Sequence, residues 1–526
     1  MKSLGNAELV MRRVRKEGDP GLYAEAEPPG FYISAIFWGG RYVEEYCRFC
    51  LASLMAPQNI PALSESLREQ SRLVVVCPRK EWAMLNEQPL FKQAREWIEP
   101  LWLELDAGPE DEHKMTRMSR GHRLISEQAF EDKMAAVYLT PDLMLSDGSL
   151  KALEALSRRG KEVVLCIAVR YAEEGCLADF ERLGLLRDGE PLALHARTLS
   201  EIAVRNLHSE TLGWDFEASR FAKQPICPFW RVPGELGIVM FGYSWAPLLV
   251  DYRRLANHDT STFDEWTLDG DYVDRNFGGL TDNCLHVVRD SDEIMLVSFT
   301  RESERSIRTP RKPILQVPFV GFATRVALIH ELHVSPIMDD LKRRIISRPV
   351  FIHGGHMRLS YTNTVERASQ IIELATWPSG PNPVYKPPLW RLEQRLVLGV
   401  GRFGAQFVHY TFDEVRRIWW TRLCANANSW RVHVISRLRW QYVRYLWAVY
   451  RSKALSFFYA RRSDWYNLRA HLRGSIVLAR AQNRSPFRAA VAKTLELVGR
   501  RFRSLLQARK APANDGVISA VDVEGA

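Results

Sequence analysis

The chain of 526 residues lacks any long hydrophobic run. No segment approaches the roughly 18 consecutive apolar residues of a membrane-spanning helix, and the first residues carry no apolar core of signal-peptide length. Cysteine is scarce: the 8 cysteines are scattered and lie mostly in apolar segments, which favours reduced, buried thiols and a cytosolic setting. These absences predict a protein that is soluble or bound to a membrane surface.

Three short motifs match known binding-site patterns, but the surrounding residues that such sites need are missing. Cys47 and Cys50 form a CxxC inside a helical pattern with no second pair at zinc spacing, which favours core packing. His353-Gly-Gly-His356 has no cysteine nearby, so a turn is favoured over a metal site. GVGRFG at 399–404 matches GxGxxG, but no acidic residue follows about 20 positions on, which disfavours nucleotide binding there.

The net charge of +10 is distributed unevenly. Residues 1–388 hold 47 basic and 54 acidic residues, whereas residues 389–510 hold 25 basic and 5 acidic ones, a local charge of +20. Of those 25, 22 are arginine, interleaved with aromatic residues at near-helical spacing. This asymmetry predicts a C-terminal region that contacts phosphates, in lipid headgroups or in nucleic acid.

Apolar strand patterns alternate with helical ones through the first third of the chain, which predicts an α/β fold with a mostly parallel sheet flanked by helices. Pro100 makes its strand an edge or bulged one. The predicted strands are 31–40, 71–78, 97–105, 135–139 and 161–170, and the predicted helices are 41–55, 114–133 and 149–158.

Composition divides the chain into five parts. Residues 378–388 hold five of the 27 prolines and form the clearest linker. The predicted parts are a flexible lead-in (1–29), an α/β domain (30–377), this linker (378–388), a basic aromatic helical region (389–510) and a disordered tail (511–526).

Two carboxylates follow the buried strand 135–139. Thr140-Pro141-Asp142 stops the strand, and Asp147 precedes a helix start. Acidic groups at the carboxyl end of a strand lie where ligands bind in α/β sheets, and spaced carboxylates suit a divalent cation carrying a phosphorylated substrate. The alternative is that Asp147 or Ser149 caps the helix.

A second acidic cluster combines two segments. Asp290 and Asp292 follow an apolar strand, and residues 261–277 interleave acids with aromatics. Aromatic rings beside carboxylates suit carbohydrate, because the ring stacks on the sugar while the carboxylates bind its hydroxyls. The alternative is turn chemistry in a solvated loop.

The order of these elements over about residues 31–300 resembles the nucleotide-sugar-binding half of GT-A type glycosyltransferases. The resemblance implies that the end of the first strand lies near the nucleotide base, that an acidic motif holds Mn²⁺ or Mg²⁺ on the diphosphate, and that a carboxylate serves as base for the acceptor hydroxyl. The implied assignments are Trp38, Gly39, Arg41, Lys114, Arg117, Arg120, Asp142 and Asp147 for the donor, Asp142 and Asp147 for the metal, Asp290 or Asp292 for the base, and Trp266, Asp269 and Asp271 for the acceptor.

The sequence therefore predicts a hexosyltransferase-like enzyme of polysaccharide biosynthesis, which moves a sugar from a nucleotide-diphosphate donor to a glycan or lipid-linked acceptor. The basic aromatic region would hold it on the anionic inner face of a membrane, as a cytoplasmic, peripheral protein. Two alternatives remain open: a nucleic-acid-binding protein that uses the arginine-rich region, and a catalytically silent sugar-binding partner in polysaccharide assembly.

Overall fold

The central part of the chain has a mixed α/β fold. The computed structural model describes residues 30–409, apart from position 168 and short stretches within 107–111, 265–269, 279–282, 305–316 and 378–387. The strands of this part are β1 Phe31–Ile36, β2 Arg72–Cys77, β3 Glu99–Glu104, β4 Ala135–Leu139, β5 Leu143–Leu145, β6 Val163–Ile167, β7 Arg170–Ala172, β8 Phe229–Arg231, β9 Gly237–Met240, β10 Trp245–Asp251, β11 Leu285–Val287, β12 Leu296–Thr300 and β13 Val350–His353.

Most helices lie between these strands and the last two follow β13. None of the helices in the described part is long and apolar enough to cross a bilayer. A π-helical stretch, Tyr46–Leu51, joins the first two into one continuous helix. The α-helices are α1 Gly40–Glu45, α2 Ala52–Leu54, α3 Glu65–Gln70, α4 Arg79–Asn86, α5 Pro89–Ala94, α6 Lys114–Glu131, α7 Ser149–Arg158, α8 Glu173–Arg182, α9 Ala196–Arg205, α10 Ser209–Leu212, α11 Gly270–Asn276, α12 Pro318–His333, α13 Asp340–Ile345, α14 Leu359–Thr376 and α15 Pro388–His409.

A seven-stranded sheet in the order β11-β6-β10-β4-β1-β2-β3 forms the centre of the fold. Its pairings are parallel except where β10 runs antiparallel to β4 and β6. Every residue of β1 and β4 is buried, as expected for strands covered on both faces. The predicted α/β class with a mostly parallel, helix-flanked sheet is confirmed, and β3, which contains Pro100, lies at the sheet edge as predicted.

The order of strands creates a crevice beside β1. The chain builds β1, β2 and β3 outwards in one direction and then returns to place β4 on the other side of β1. The connections that leave β1 and β4 therefore diverge at the carboxyl end of the sheet, which is where ligands bind in open α/β folds. A small sheet, β5-β12-β7, stands at this same edge, because β5 and β7 follow β4 and β6 after only a few residues.

The segment 236–252 gives two strands that do not pair with each other. β9 joins a third sheet with β8 and β13, whereas β10 enters the central sheet. Gly242, between them, packs against Ile167, where a Cβ would come within 2.5 Å of that side chain. The separation into two sheets depends on long-range contacts that the local sequence does not encode.

The GVGRFG motif lies inside α15, so its glycines form no phosphate loop. A Cβ on Gly401 would come within 1.9 Å of the Ala323 carbonyl oxygen, and one on Gly404 within 2.1 Å of Thr324 Oγ1. These two glycines let α15 approach α12 closely. The predicted basic region thus begins, over residues 388–409, as a helix packed on its neighbours; its remainder lies outside the described residues.

Gly121 has a comparable role in α6. A Cβ at this position would come within 2.6 Å of Ile36 Cγ2 at the end of β1. That methyl group is branched directly from Cβ of a fully buried residue, so it has little room to move. Gly121 therefore sets the close approach of α6 to the sheet edge that carries the crevice.

We expect Gly121→Ala to destabilise the fold by about 1 kcal/mol or more, because overpacking costs roughly 1–3 kcal/mol and exceeds the gain of up to about 1 kcal/mol in helix propensity. Gly399→Ala is the matched control, since Gly399 is helical and no atom of the described residues lies within 4 Å of the place that a Cβ would take; it should be neutral or stabilising. Urea unfolding of both variants measures the difference. Equal stabilisation by the two substitutions would contradict the packing role.

Candidate functional site

A cavity of about 630 Å³ opens at the carboxyl ends of β1 and β4. This is a size typical of small-molecule sites. We call it the carboxyl-edge cavity. Its apolar wall comprises Phe37, Trp38, Phe49, Met115, Met118 and Phe299, and its charged lining comprises Arg41, Glu45, Lys114, Asp142, Arg170, Glu173, Arg301 and Glu304.

The turn after β1 presents Trp38 to the cavity. Gly39 adopts φ +94°, a conformation that side-chain-bearing residues rarely reach, and its N–H donates to Glu81 Oε1 at 3.1 Å. The guanidinium of Arg117 stacks over the Trp38 ring, 5.5 Å from its centroid. A half-buried aromatic ring is therefore positioned at the rim by a turn that needs glycine and by the cation over its face.

An ion-pair network crosses the floor of the cavity. Arg41 pairs with Glu45, and it also lies 3.5 Å from Glu173 and 3.6 Å from Glu304. Arg301 approaches the same two buried acids, Glu173 at 3.4 Å and Glu45 at 3.9 Å. Burial raises the pKa of Glu45, against the opposing effect of Arg41. The network ties the start of α1 to the residues that follow β12.

Asp142 is the acid that follows the carboxyl end of β4. Its Oδ1 accepts a hydrogen bond from Thr140 Oγ1 at 2.5 Å, its Oδ2 accepts one from Ser298 Oγ at 3.1 Å, and its carbonyl accepts the Phe299 N–H at 2.9 Å. Burial raises the pKa of Asp142, although these hydroxyls and Arg170 favour the charged form. Contacts with β12 thus orient the carboxylate, and its partners only partly offset the cost of burying its charge.

The structure brings four of the eight predicted donor residues to the lining of one cavity: Trp38, Arg41, Lys114 and Asp142. Gly39 forms the adjoining turn. Arg117 and Arg120 lie further along α6, where Glu112 accepts hydrogen bonds from both, at 3.3 Å and 2.8 Å. Two lining cations, Arg170 and Arg301, were missed by the sequence reasoning. Arg170 begins β7 and Arg301 directly follows β12. The pairing of β7 with β12 in the small sheet β5-β12-β7 brings both arginines to this edge.

Asp147 lies apart from the cavity. Its Oδ1 accepts the Gln58 N–H at 2.7 Å, and its own N–H donates to the Leu194 carbonyl at 2.8 Å. Gly148 precedes the first residue of α7 and offers no capping side chain, and the Leu150 N–H in the first turn donates to Asn59 Oδ1 at 3.0 Å. The capping alternative for Asp147 and Ser149 is therefore wrong, and Asp147 instead ties the α7 start to the loop after α2. Asp142 and Asp147 do not converge on one ion.

A second polar cluster lies along the same edge. Asp290 follows β11, whose carboxyl end is three strand positions from that of β4, or about 14 Å at the usual strand spacing. Asp290 Oδ1 lies 2.9 Å from His353 Nε2, and Asp292 accepts a two-pronged ion pair from Arg197 at 2.7–3.2 Å. Among the described residues, Asp290, Asp292 and His353 form the group whose donor atoms, all within 4.8 Å of one another, could hold a metal ion.

Burial and polar contacts shift the pKa values of His353 and Asp292 in opposite directions. Burial is the largest single effect and lowers the pKa of His353, but Asp290, the Gly355 carbonyl and Asp292 together outweigh it and the net shift is upward. Burial is the largest single effect and raises the pKa of Asp292, but Arg197, His353 and His195 together outweigh it and the net shift is downward. The sequence predicted a turn at His353-Gly-Gly-His356 because no cysteine lies nearby, and no local motif links His353 to acids about sixty residues earlier.

The predicted acceptor residues are only partly described. Asp271 lies in α11 and pairs with Arg275 one turn later, at 3.0 Å. Trp266 and Asp269 lie outside the described residues. Their assignment to an acceptor stays a prediction.

No family model and no curated protein matches the sequence. Among solved structures, the chain is similar to the mannosyltransferase PcManGT from Pyrobaculum calidifontis in complex with GDP-Man and Mn²⁺, with 10% identity over 87% of this chain and 96% of that one, at a TM-score of 0.28. A likeness at this level does not identify a family.

The raised pKa of Asp142 has a consequence for stability. The folded state holds this proton more tightly than the unfolded chain, so ionisation of Asp142 costs stability as pH rises from about 4 through the folded-state pKa. Asp142→Asn removes that cost. The melting temperature of the variant relative to the parent should therefore rise between pH 4 and pH 7. Parallel melting profiles across this range would show that burial of the carboxylate has no such effect.

Proposed function

We propose that the protein is a glycosyltransferase that binds a nucleotide sugar in the carboxyl-edge cavity. The observation that carries this proposal is the convergence of Trp38, Arg41, Lys114 and Asp142, chosen from the sequence as donor residues, on one cavity at the switch point of the sheet. An aromatic ring at the rim suits a nucleotide base, and the cations beyond it suit a diphosphate.

The cavity lining carries four cations and four carboxylates. A free diphosphate would meet no net positive charge there, whereas a diphosphate that brings its own dication is electrically matched. This balance favours Mn²⁺ or Mg²⁺ entering with the donor. Of the two predicted metal ligands, Asp142 lines the cavity and Asp147 does not, so the predicted pair does not hold one ion there.

Catalysis in this arrangement depends on the leaving group. As the sugar departs, negative charge builds on the nucleoside diphosphate, and preorganised cations lower that barrier without reorganising. Lys114 is exposed and able to follow the phosphate, while Arg41 and Arg301 are held by Glu45 and Glu173.

The base that accepts the proton of the acceptor hydroxyl remains a prediction. Asp292 is a weak candidate, because Arg197 lowers its pKa. Asp290, at the same sheet edge, stays the predicted base.

The acceptor and the cellular setting are also proposals. We infer that the basic region beyond residue 409, which lies outside the described residues, holds the protein on an anionic membrane beside a glycan or lipid-linked acceptor. Its composition supports this proposal: of the 22 arginines in 389–510, 19 lie beyond residue 409, interleaved with aromatic residues.

We expect Lys114→Gln to weaken nucleotide-sugar binding about tenfold or more, since a hydrogen bond to a charged partner contributes roughly 1.5–3 kcal/mol. Asp142→Asn should weaken it as well. Isothermal titration of a panel of nucleotide-diphosphate sugars with Mn²⁺ measures both effects.

Two matched controls test whether the site is local. Lys151→Gln removes an exposed lysine from α7, and Asp147→Asn removes the carboxylate that lies outside the cavity; neither should change donor affinity. Unchanged affinity in both Lys114→Gln and Asp142→Asn, with normal melting, would rule out the assignment. Tight binding without sugar transfer would favour the catalytically silent partner.

We predict that the full chain floats with vesicles containing anionic lipid and that salt weakens this binding without abolishing it, because salt screens the arginine contacts but not aromatic insertion. Truncation after Lys386 is unsuitable as a control, since α15 packs on α12 and α14; truncation after residue 412 preserves that helix. If the chain does not bind these vesicles but binds RNA with an affinity that falls steeply with salt, the nucleic-acid alternative is favoured.

A further inference from the structure

The Asp290, Asp292 and His353 side chains come from two separate segments that are fastened together by backbone contacts. The Ser291 N–H donates to the Phe351 carbonyl at 2.9 Å, and the Phe351 N–H donates to the Arg289 carbonyl at 2.7 Å. The His353 N–H donates to Ser291 Oγ at 3.1 Å. The loop after β11 and the end of β13 are therefore held in register before any ligand binds.

The orientation of His353 is fixed. Its Nδ1 lies against the carbonyl oxygen of Gly355, and a carbonyl can only accept, so Nδ1 carries the hydrogen. The side chain is 1% exposed and directs Nε2 at the carboxylate of Asp290, 2.9 Å away. A carbonyl on the far nitrogen is the usual outer-shell partner of a metal-ligating histidine.

Two electron-pair donors face each other across that 2.9 Å. With the hydrogen on Nδ1, neutral imidazole offers only a lone pair at Nε2, so a second proton or a metal ion must lie between Nε2 and Asp290 Oδ1. Separations near 3 Å are also those of neighbouring ligands on one ion, given metal–ligand bonds of about 2.1 Å. Asp292 brings a third donor atom to within 4.8 Å of the other two.

We propose that Asp290, Asp292 and His353 form a binding site for a transition-metal dication such as Zn²⁺ or Mn²⁺, separate from the carboxyl-edge cavity. The mixed nitrogen and oxygen ligands favour such ions over Ca²⁺ and Mg²⁺, which prefer oxygen alone. The ion joins the loop after β11 to β13 and so stiffens the sheet edge next to the cavity. This proposal depends on the geometry of these three residues and not on the proposed sugar transfer, and a bound ion would make Asp290 a ligand instead of the base for the acceptor hydroxyl.

Titration of Zn²⁺ and Mn²⁺ into the chelator-stripped full chain, without nucleotide, tests the site. We expect about one equivalent to bind, and we expect affinity to fall at least tenfold in Asp292→Asn. His353→Gln should show the same loss. If burial of His353 prevents that variant from folding, Asp292→Asn still tests the site, because the Asp292 side chain is 33% exposed.

The chain offers a matched control beside the site. Glu293 pairs with His286 at 2.9 Å but belongs to no such group of three among the described residues, so Glu293→Gln should bind the metal as the parent does. Asp142→Asn should also retain binding, which separates this site from the cavity. Failure of the parent to bind either ion, or equal affinity in Asp292→Asn and the parent, would overturn the proposal and leave a proton between His353 and Asp290.

Discussion

The parallel pairing of β1 with both β2 and β4 is the constraint on which the rest of the structure depends. Parallel neighbours need crossover connections, so every loop that leaves these strands emerges at the same edge. Because the chain passes outwards to β3 and then returns beside β1, the loops at 37–42 and 140–142 diverge and leave a crevice between them. The cavity, its aromatic rim and Asp142 all follow from that return.

The carboxyl edge of the sheet also carries a balanced set of charged side chains. The cavity holds as many carboxylates as cations, and its buried acids are stabilised chiefly by arginines that could also contact phosphate. A ligand that neutralises its own charge with a dication disturbs this balance least. Further along the edge, a second cluster combines two acids, an arginine and a histidine and is held by backbone contacts between β13 and the loop after β11. Both places put ionisable groups on rigid strand ends, where their positions are set by the sheet.

Much of the sheet could be predicted from the sequence, because buried strands such as Ala135–Leu139 are short apolar runs with clear stops, and helix 149–158 has a strong apolar period. The cavity was partly predictable for the same reason: Trp38, Arg41 and Asp142 directly follow strands that must lie side by side. Arg301 and His353 could not be found this way. They reach their sites through the small sheets, whose pairings join segments more than a hundred residues apart. Asp147 shows the converse, since its closeness to Asp142 in sequence does not place its side chain in the cavity.

Hydrogen–deuterium exchange of the full chain, with and without a nucleotide-diphosphate sugar and Mn²⁺, tests the central claim most directly, because a ligand that fills the cavity must slow exchange in the backbone that lines it. We predict protection at residues 37–42, at 140–145 and at the start of α6, with little change in α7 around Lys151. Protection confined to other segments, or no protection at donor concentrations that raise the melting temperature, would contradict the assignment of the carboxyl-edge cavity as the donor site.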